Sequence, residues 1–228
     1  YAWVVDEIPR FVPRSTSTIM QIINHENRPA WNTSLNDNLY RGILEIREDS
    51  GQLVVINELP MEMYLRGLAE ATNSEPTEKI RTMSILARTY ARWYMEFEEK
   101  FPGKPYHLDD NPDVSQKYLG YGLESRAPNV VQATSDTAGM VVTYDGDIIK
   151  TPYFSSTDGT STRSGEEVWG WTHTPYLQSV SDTLCEVGYF SGHGVGLSGC
   201  GATAAAENGS SYEEIIKYYY QGVEIEVK

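Results

Sequence analysis

The feature that most narrows the fold is one long amphipathic stretch closed by breakers at both ends. From residue 75 to about residue 99, Ile80, Met83, Ala87, Tyr90, Ala91 and Tyr94 recur at helical spacing and give one broad apolar face. Asn73-Ser74-Glu75-Pro76 supplies the start: a capping side chain, an acidic residue and a first-turn proline. Phe101-Pro102-Gly103 stops it. A helix this long with so wide an apolar face needs other elements packed on it, so the chain is expected to build around a central helix.

The remaining elements are mixed. Leu39 to Arg47 alternates with period two, Asp49-Ser50-Gly51 turns, and Gln52 to Ile56 returns, a β-hairpin with a loop of several residues. Met140 to Tyr144, then Asp145-Gly146, then Asp147 onward is a sharper hairpin, because Asp-Gly suits the left-handed turn between twisted strands. Its second strand is expected to continue through Pro152 to Ser155. Helices are expected from Met61 to about Ala71, from Asn129 to Thr137, from Ala202 and from Tyr212 to Tyr219, with a last strand at Val223 to Val227. Thr18 to Ile23 has strand character, and residues 102–128 and 156–170 read as ordered loop. The class is α+β, helices with antiparallel strands around a cleft. Residues 1–36 form an opening segment of unassigned structure, and residues 37–228 form the main domain.

A formal charge of −14, from 18 basic and 32 acidic residues, repels phosphate backbones, so a nucleic-acid role is not expected. No apolar run approaches the roughly 20 residues that span a membrane. Tyr1 to Arg10 lacks the basic start and apolar stretch of a signal peptide. A monomer is expected. The two cysteines, Cys185 and Cys200, could be bridged or free; a bridge closing that loop would be worth about 3 kcal/mol in the chain-entropy model.

Four groups could carry chemistry. Glu70 sits between Ala69 and Ala71, where a half-apolar corner would disfavour its charge and suit a general acid; a solvent-facing helix glutamate is the plainer reading. Arg88, among small residues on the long helix, could hold a carboxylate through two parallel bonds or lie along the surface. His193 stands in Ser191-Gly192-His193-Gly194-Val195-Gly196-Leu197-Ser198-Gly199, a glycine-rich run without the Gly-Lys-Ser/Thr of a phosphate loop. A Ser–His pair with Ser155, Ser156 or Ser198 is conceivable, although no Gly-x-Ser-x-Gly elbow is present. No His/Cys spacing matches a zinc pattern, and neither a metal nor another cofactor is expected. Sixteen tyrosines and five tryptophans provide many flat rings suited to sugar faces or to packing.

Taken in order, several segments resemble the SpoIID/LytB family. They are Val55-Ile56-Asn57-Glu58-Leu59-Pro60-Met61-Glu62-Met63-Tyr64-Leu65-Arg66-Gly67-Leu68-Ala69-Glu70, then Ala87-Arg88-Thr89-Tyr90-Ala91, then Gln116-Lys117-Tyr118-Leu119-Gly120-Tyr121. Tyr153-Phe154-Ser155-Ser156, Val168-Trp169-Gly170, Pro175-Tyr176-Leu177 and Gly192-His193-Gly194 complete the series. The resemblance implies an extracytoplasmic lytic transglycosylase acting on peptidoglycan glycan strands stripped of their peptides, with Glu70 as single acid and base. It further implies that Arg88, Gln116, Tyr118, Ser155, Ser156 and His193 contact substrate. Some relatives hold zinc in the loop after the long helix; here residues 101–115 offer only His107, so none is expected there. Hydrolysis would call on a second carboxylate, for which Asp158, Glu166 and Asp182 are the candidates. The LytB side of the family implies the alternative, a non-catalytic enhancer of a cell-wall amidase.

Overall fold

The computed structural model describes residues 8–228; residues 1–7, most of the Tyr1 to Arg10 opening, lie outside the described residues. In chain order the elements are β1 (Arg10–Phe11), β2 (Met20–Gln21), β3 (Leu39–Tyr40), β4 (Ile43–Asp49), β5 (Gln52–Glu58), α1 (Met61–Arg66) and α2 (Thr77–Glu96). Then come α3 (Gly120–Arg126), α4 (Pro128–Asp136), β6 (Met140–Tyr144), β7 (Asp147–Ile148), β8 (Tyr153–Phe154) and α5 (Gly165–Trp169). The chain closes with β9 (Leu197–Ser198), α6 (Gly199–Glu207), α7 (Tyr212–Tyr219) and β10 (Glu224–Val227). This is an α+β fold, with antiparallel sheets and a single parallel pair, β8 with β9, among the described residues. No described helix is long and apolar enough to cross a membrane. Two compact units divide the chain: Tyr1–Glu70 with Glu99–Pro128, and Ala71–Glu98 with Asn129–Lys228.

In the first unit, β4 and β5 form the hairpin read from the sequence, with Asp49 opposite Gln52. The connecting loop is shorter than expected. Only Ser50 and Gly51 lie between the strands, both at positive φ (54° and 82°), the left-handed pair that matches strand twist. The alternation from Leu39 does not run as one strand: Gly42, at φ 76°, breaks it, and a Cβ there would lie 2.4 Å from the Glu58 carbonyl oxygen. The opening segment does not stand apart. β1 pairs with β4, β2 pairs with β3, and the Arg10 guanidinium reaches Glu45 and Glu58, each at 2.6 Å. Arg126 of α3 grips the buried Asp37 carboxylate through two nitrogens, at 2.5 and 2.8 Å.

The second unit is built on α2, which is buried more completely than one apolar face requires. Ile80, Met83, Ile85, Leu86, Ala87 and Ala91 are all enclosed, the large ones each worth roughly 1.5–3 kcal/mol of burial. Buried hydroxyls on the other faces are satisfied internally: Thr82 donates to the Glu78 carbonyl (2.8 Å), Ser84 to Ile80 (3.0 Å) and Thr89 to Ile85 (2.7 Å). Thr89 also accepts from the Val142 N–H at 3.0 Å, pinning β6 to the helix. The sheet order is β10-β6-β7, and the Asp145-Gly146 turn has both residues at positive φ (51° and 86°). The second strand of this hairpin is broken where Pro152 intervenes, leaving β7 and β8 as separate short pieces. Ser211 and Glu214 close a capping box at the start of α7.

Cys185 and Cys200 form a disulfide with Cα atoms 5.2 Å apart, deciding between the two states left open by sequence. Replacing both by alanine is expected to cost about 3 kcal/mol of stability, read by urea unfolding of the oxidised protein. An unchanged midpoint and slope would show that the loop is ordered without the bond.

Candidate functional site

Glu70 is positioned by backbone pairing, not by a helix end. Helix α1 stops at Arg66, with Gly67 as its C-cap, five residues short of the expected Ala71. The chain from Gly67 then runs antiparallel to residues 117–119. The Leu119 N–H donates to the Gly67 carbonyl at 2.8 Å, and the Ala69 N–H donates to the Lys117 carbonyl at 2.8 Å. Leu68 and Tyr118 are bridge partners. At the end of this short ladder the Lys117 N–H points at the Glu70 side chain and donates to Oε1 at 2.6 Å. The bond fixes the direction in which the Glu70 carboxyl faces. Glu70 is half-buried.

Gly67 makes the ladder possible. A Cβ there would lie 2.6 Å from a Tyr118 ring carbon and 3.0 Å from the Gly120 carbonyl oxygen. Tyr118 stacks on Tyr64 with centroids 5.3 Å apart, and its hydroxyl donates to Asn57 Oδ1 at 2.8 Å. Burial holds that hydroxyl well above the ordinary tyrosine range. Asn57 in turn donates to the carbonyls of Arg41 (2.7 Å) and Ile43 (3.1 Å). The Tyr64 hydroxyl donates to Oε1 of Gln116 at 3.0 Å. The first unit thus brings together Glu70, Gln116 and Tyr118. It adds Asn57, Tyr64 and the Lys117 N–H, which carried no role in the sequence reading although all three residues lie inside the motif blocks.

The second unit holds the other four. Arg88 is buried at 1% exposure, and donates to the carbonyls of Ser84 (3.4 Å), Met140 (3.1 Å) and Thr134 (3.3 Å). Gln116 and Ser156 are also buried, and Ser156 Oγ donates to the Tyr189 carbonyl at 3.0 Å. These bonds tie Arg88, Gln116 and Ser156 to backbone and to neighbouring side chains. Ser155 is exposed, with its N–H on the Ser191 carbonyl at 3.1 Å.

His193 is brought beside the serine pair by the Ser156–Ser191 bridge. Gly192 is at φ 101°, and a Cβ there would lie 2.8 Å from Phe154 Cβ. The Val195 N–H donates to Nδ1 at 3.1 Å, so the neutral ring carries its proton on Nε2. Burial lowers the pKa of His193, with a backbone hydrogen bond to Tyr153 opposing. With Nδ1 already accepting from the backbone, the ring is built as a fixed neutral group, which tells against the base of a Ser–His pair. Of the candidate second carboxylates, Asp182 is buried, with its two oxygens accepting from Thr157 (2.7 Å) and Tyr219 (2.6 Å). Asp158 is exposed and held below its usual pKa by the Thr160 hydroxyl, and Glu166 is exposed on α5.

With Glu70 set against residues 116–119, the chain can be compared with known proteins. Residues 49–144 match the family described as SpoIID, stage II sporulation protein. The matched segment is of that family. It is 32% identical over 156 residues to an uncharacterised protein of Brachyspira hyodysenteriae, covering 67% of this chain and 40% of that protein. It is 20% identical to the stage II sporulation protein D of Bacillus subtilis, over 75% of each chain. A 34-residue segment is 59% identical to the Bacillus amyloliquefaciens protein of the same name. The chain spans about two fifths of the Brachyspira relative. The matched segment holds Glu70, Arg88, Gln116 and Tyr118, whereas Ser155, Ser156 and His193 lie beyond it.

The neutral His193 makes a pH prediction. An unfolded histidine titrates near about 6.5. Below that pH the unfolded chain takes up a proton that the folded ring resists, so the folded state loses stability. This contribution is complete above about pH 6.5 and falls as pH drops toward the lower folded value. His193→Gln is expected to flatten this acid-side decline in unfolding free energy. In ring-nitrogen NMR, His193 is expected to titrate below an ordinary histidine; titration at or above the ordinary value would contradict the assignment.

Proposed function

We propose that this chain cleaves peptidoglycan glycan strands as a lytic transglycosylase, with Glu70 as its single acid and base. The observation that supports this reading most directly is the Lys117 N–H held 2.6 Å from Glu70 Oε1. A carboxyl that gives up a proton in the transition state gains from a donor already aimed at the anion it becomes.

The sequence of events balances with one carboxyl. Glu70 gives its proton to the oxygen joining N-acetylmuramic acid to N-acetylglucosamine, and the C–O bond breaks with the electron pair leaving on that oxygen. The muramyl 6-hydroxyl then attacks the anomeric carbon while its proton passes to the Glu70 carboxylate. The product is a 1,6-anhydro sugar, and the acid is restored without water. Hydrolysis would instead call on a second carboxylate to activate water, and of the three candidates Asp182 is buried while Asp158 and Glu166 are exposed. A substrate already stripped of peptides implies an amidase acting earlier on the same strands. The Cys185–Cys200 disulfide supports an extracytoplasmic setting, since such bonds persist in oxidising compartments.

Peptide-free glycan strands incubated with the protein are expected to yield anhydromuramyl ends, detected by mass spectrometry. Glu70→Gln should lower their rate by at least about a hundredfold. Equal turnover in that variant would remove Glu70 from the mechanism. Reducing, non-anhydro ends would make the protein a hydrolase, and binding without any turnover would make it a recognition module.

A further inference from the structure

Helix α5 ends in an arrangement that packing of the core does not explain. Gly170 caps it in the left-handed conformation, at φ 69°, and the Trp171 N–H returns to the Gly165 carbonyl at 3.3 Å. This reversal brings the indoles of Trp169 and Trp171 together, with centroids 4.4 Å apart and planes 35° apart. Nothing lies within 4 Å of where a Gly170 Cβ would stand, so glycine is there for its backbone freedom, not for lack of room. Trp169 is 37% exposed and leans on the fixed neutral ring of His193, 4.8 Å away. Trp171 is braced from another side: the Lys150 ammonium lies 4.6 Å from its centroid and 4.1 Å from that of Trp93. Glu98 holds the same ammonium at 2.8 Å.

A large indole left open to water forfeits burial energy. Here two are laid against each other by a dedicated turn and stiffened by a cation and a histidine, with Trp169 left the more open. The open part of Trp169 suits a pyranose, whose C–H face lies on an indole while its hydroxyl and acetamide groups stay solvated. The net charge of −14 disfavours the other flat ligand that stacks on aromatics, a nucleic-acid base on its phosphate chain.

We infer that Trp169 and Trp171 form a stacking subsite for one sugar ring of a glycan strand, with His193 and Lys150 holding the two indoles in place. The inference rests on the glycan-cleaving reading and extends it to how a strand is gripped. His193 is then a positioning residue for Trp169.

Binding is measured in the Glu70→Gln background, so that turnover does not consume the probe, with peptide-free glycan strands followed by calorimetry. Trp169→Ala is expected to weaken binding by roughly tenfold and Trp169→Ala with Trp171→Ala by more, whereas Trp169→Phe, which keeps a ring, should stay near the parent. Trp31→Ala, which removes an indole 73% exposed in the first unit, should change nothing. Circular dichroism and the intact disulfide mass show that each variant is folded. If Trp171→Ala disturbs folding, the exposed Trp169 supplies the decisive pair of variants. Parent-like binding by folded Trp169→Ala would overturn the subsite and leave the glycan reading standing. Wild-type protein that neither binds nor cleaves the strands would overturn the glycan reading first, and this subsite with it.

Discussion

The close approach of two backbone segments in the first unit governs the geometry around Glu70. Residues 67–69 meet residues 117–119 as a short antiparallel ladder, and the ladder exists only because position 67 has no side chain. Each of its bonds is worth on the order of 1 kcal/mol. Their larger effect is orientation, since they leave the Lys117 N–H with Glu70 as its partner. The stacked Tyr64 and Tyr118 and the amides of Asn57 and Gln116 lock the same ladder through side chains. Two stretches far apart in sequence, residues 57–70 and 116–119, are thereby made to share one set of bonds.

The second unit solves a different problem, the burial of polar groups around a central helix. Hydroxyls on α2 return to carbonyls one turn earlier, and Arg88 reaches carbonyls outside α2, at Met140 and Thr134. A guanidinium this deep is tolerated because its donors meet oxygens, and removing it would strand carbonyls that it serves. The glycine-rich segment around His193 works by similar logic. Its positive-φ glycines let the backbone supply a donor to the imidazole, so the ring is held in one tautomer by main-chain contact.

Local signals in the sequence were reliable where the cause was local. The Asp145-Gly146 turn, the β4–β5 hairpin, the capped α7 and the body of α2 all follow from residue spacing and turn chemistry. The end of α1 was not legible, because Gly67 inside an apolar pattern resembles a tolerated helix glycine until its partner strand is known. Helices α3 and α5 are only seven and five residues long, and their Gly-, Pro- and Asp-rich surroundings mask them. Outside Thr18 to Ile23, where β2 lies, residues 8–36 gave little periodic pattern because their ordering comes from pairing with β3 and β4 and from the Arg10 carboxylate contacts. In the candidate site, Glu70 and its neighbours were visible as motif blocks, yet motif membership does not reveal burial. Arg88, Gln116 and Ser156, read as groups that meet a ligand, are all buried in the structure.

The bond between Cys185 and Cys200 closes a segment that contains Gly188, Gly192, Gly194, Gly196 and Gly199, the most permissive backbone in the chain. So many glycines carry a large entropy of ordering, and here a covalent tie at the ends limits the states they can visit before folding. A newly made chain with reduced thiols lacks that tie. The final shape of the histidine loop is therefore tied to oxidation, so that the protein's chemical surroundings take part in finishing its fold.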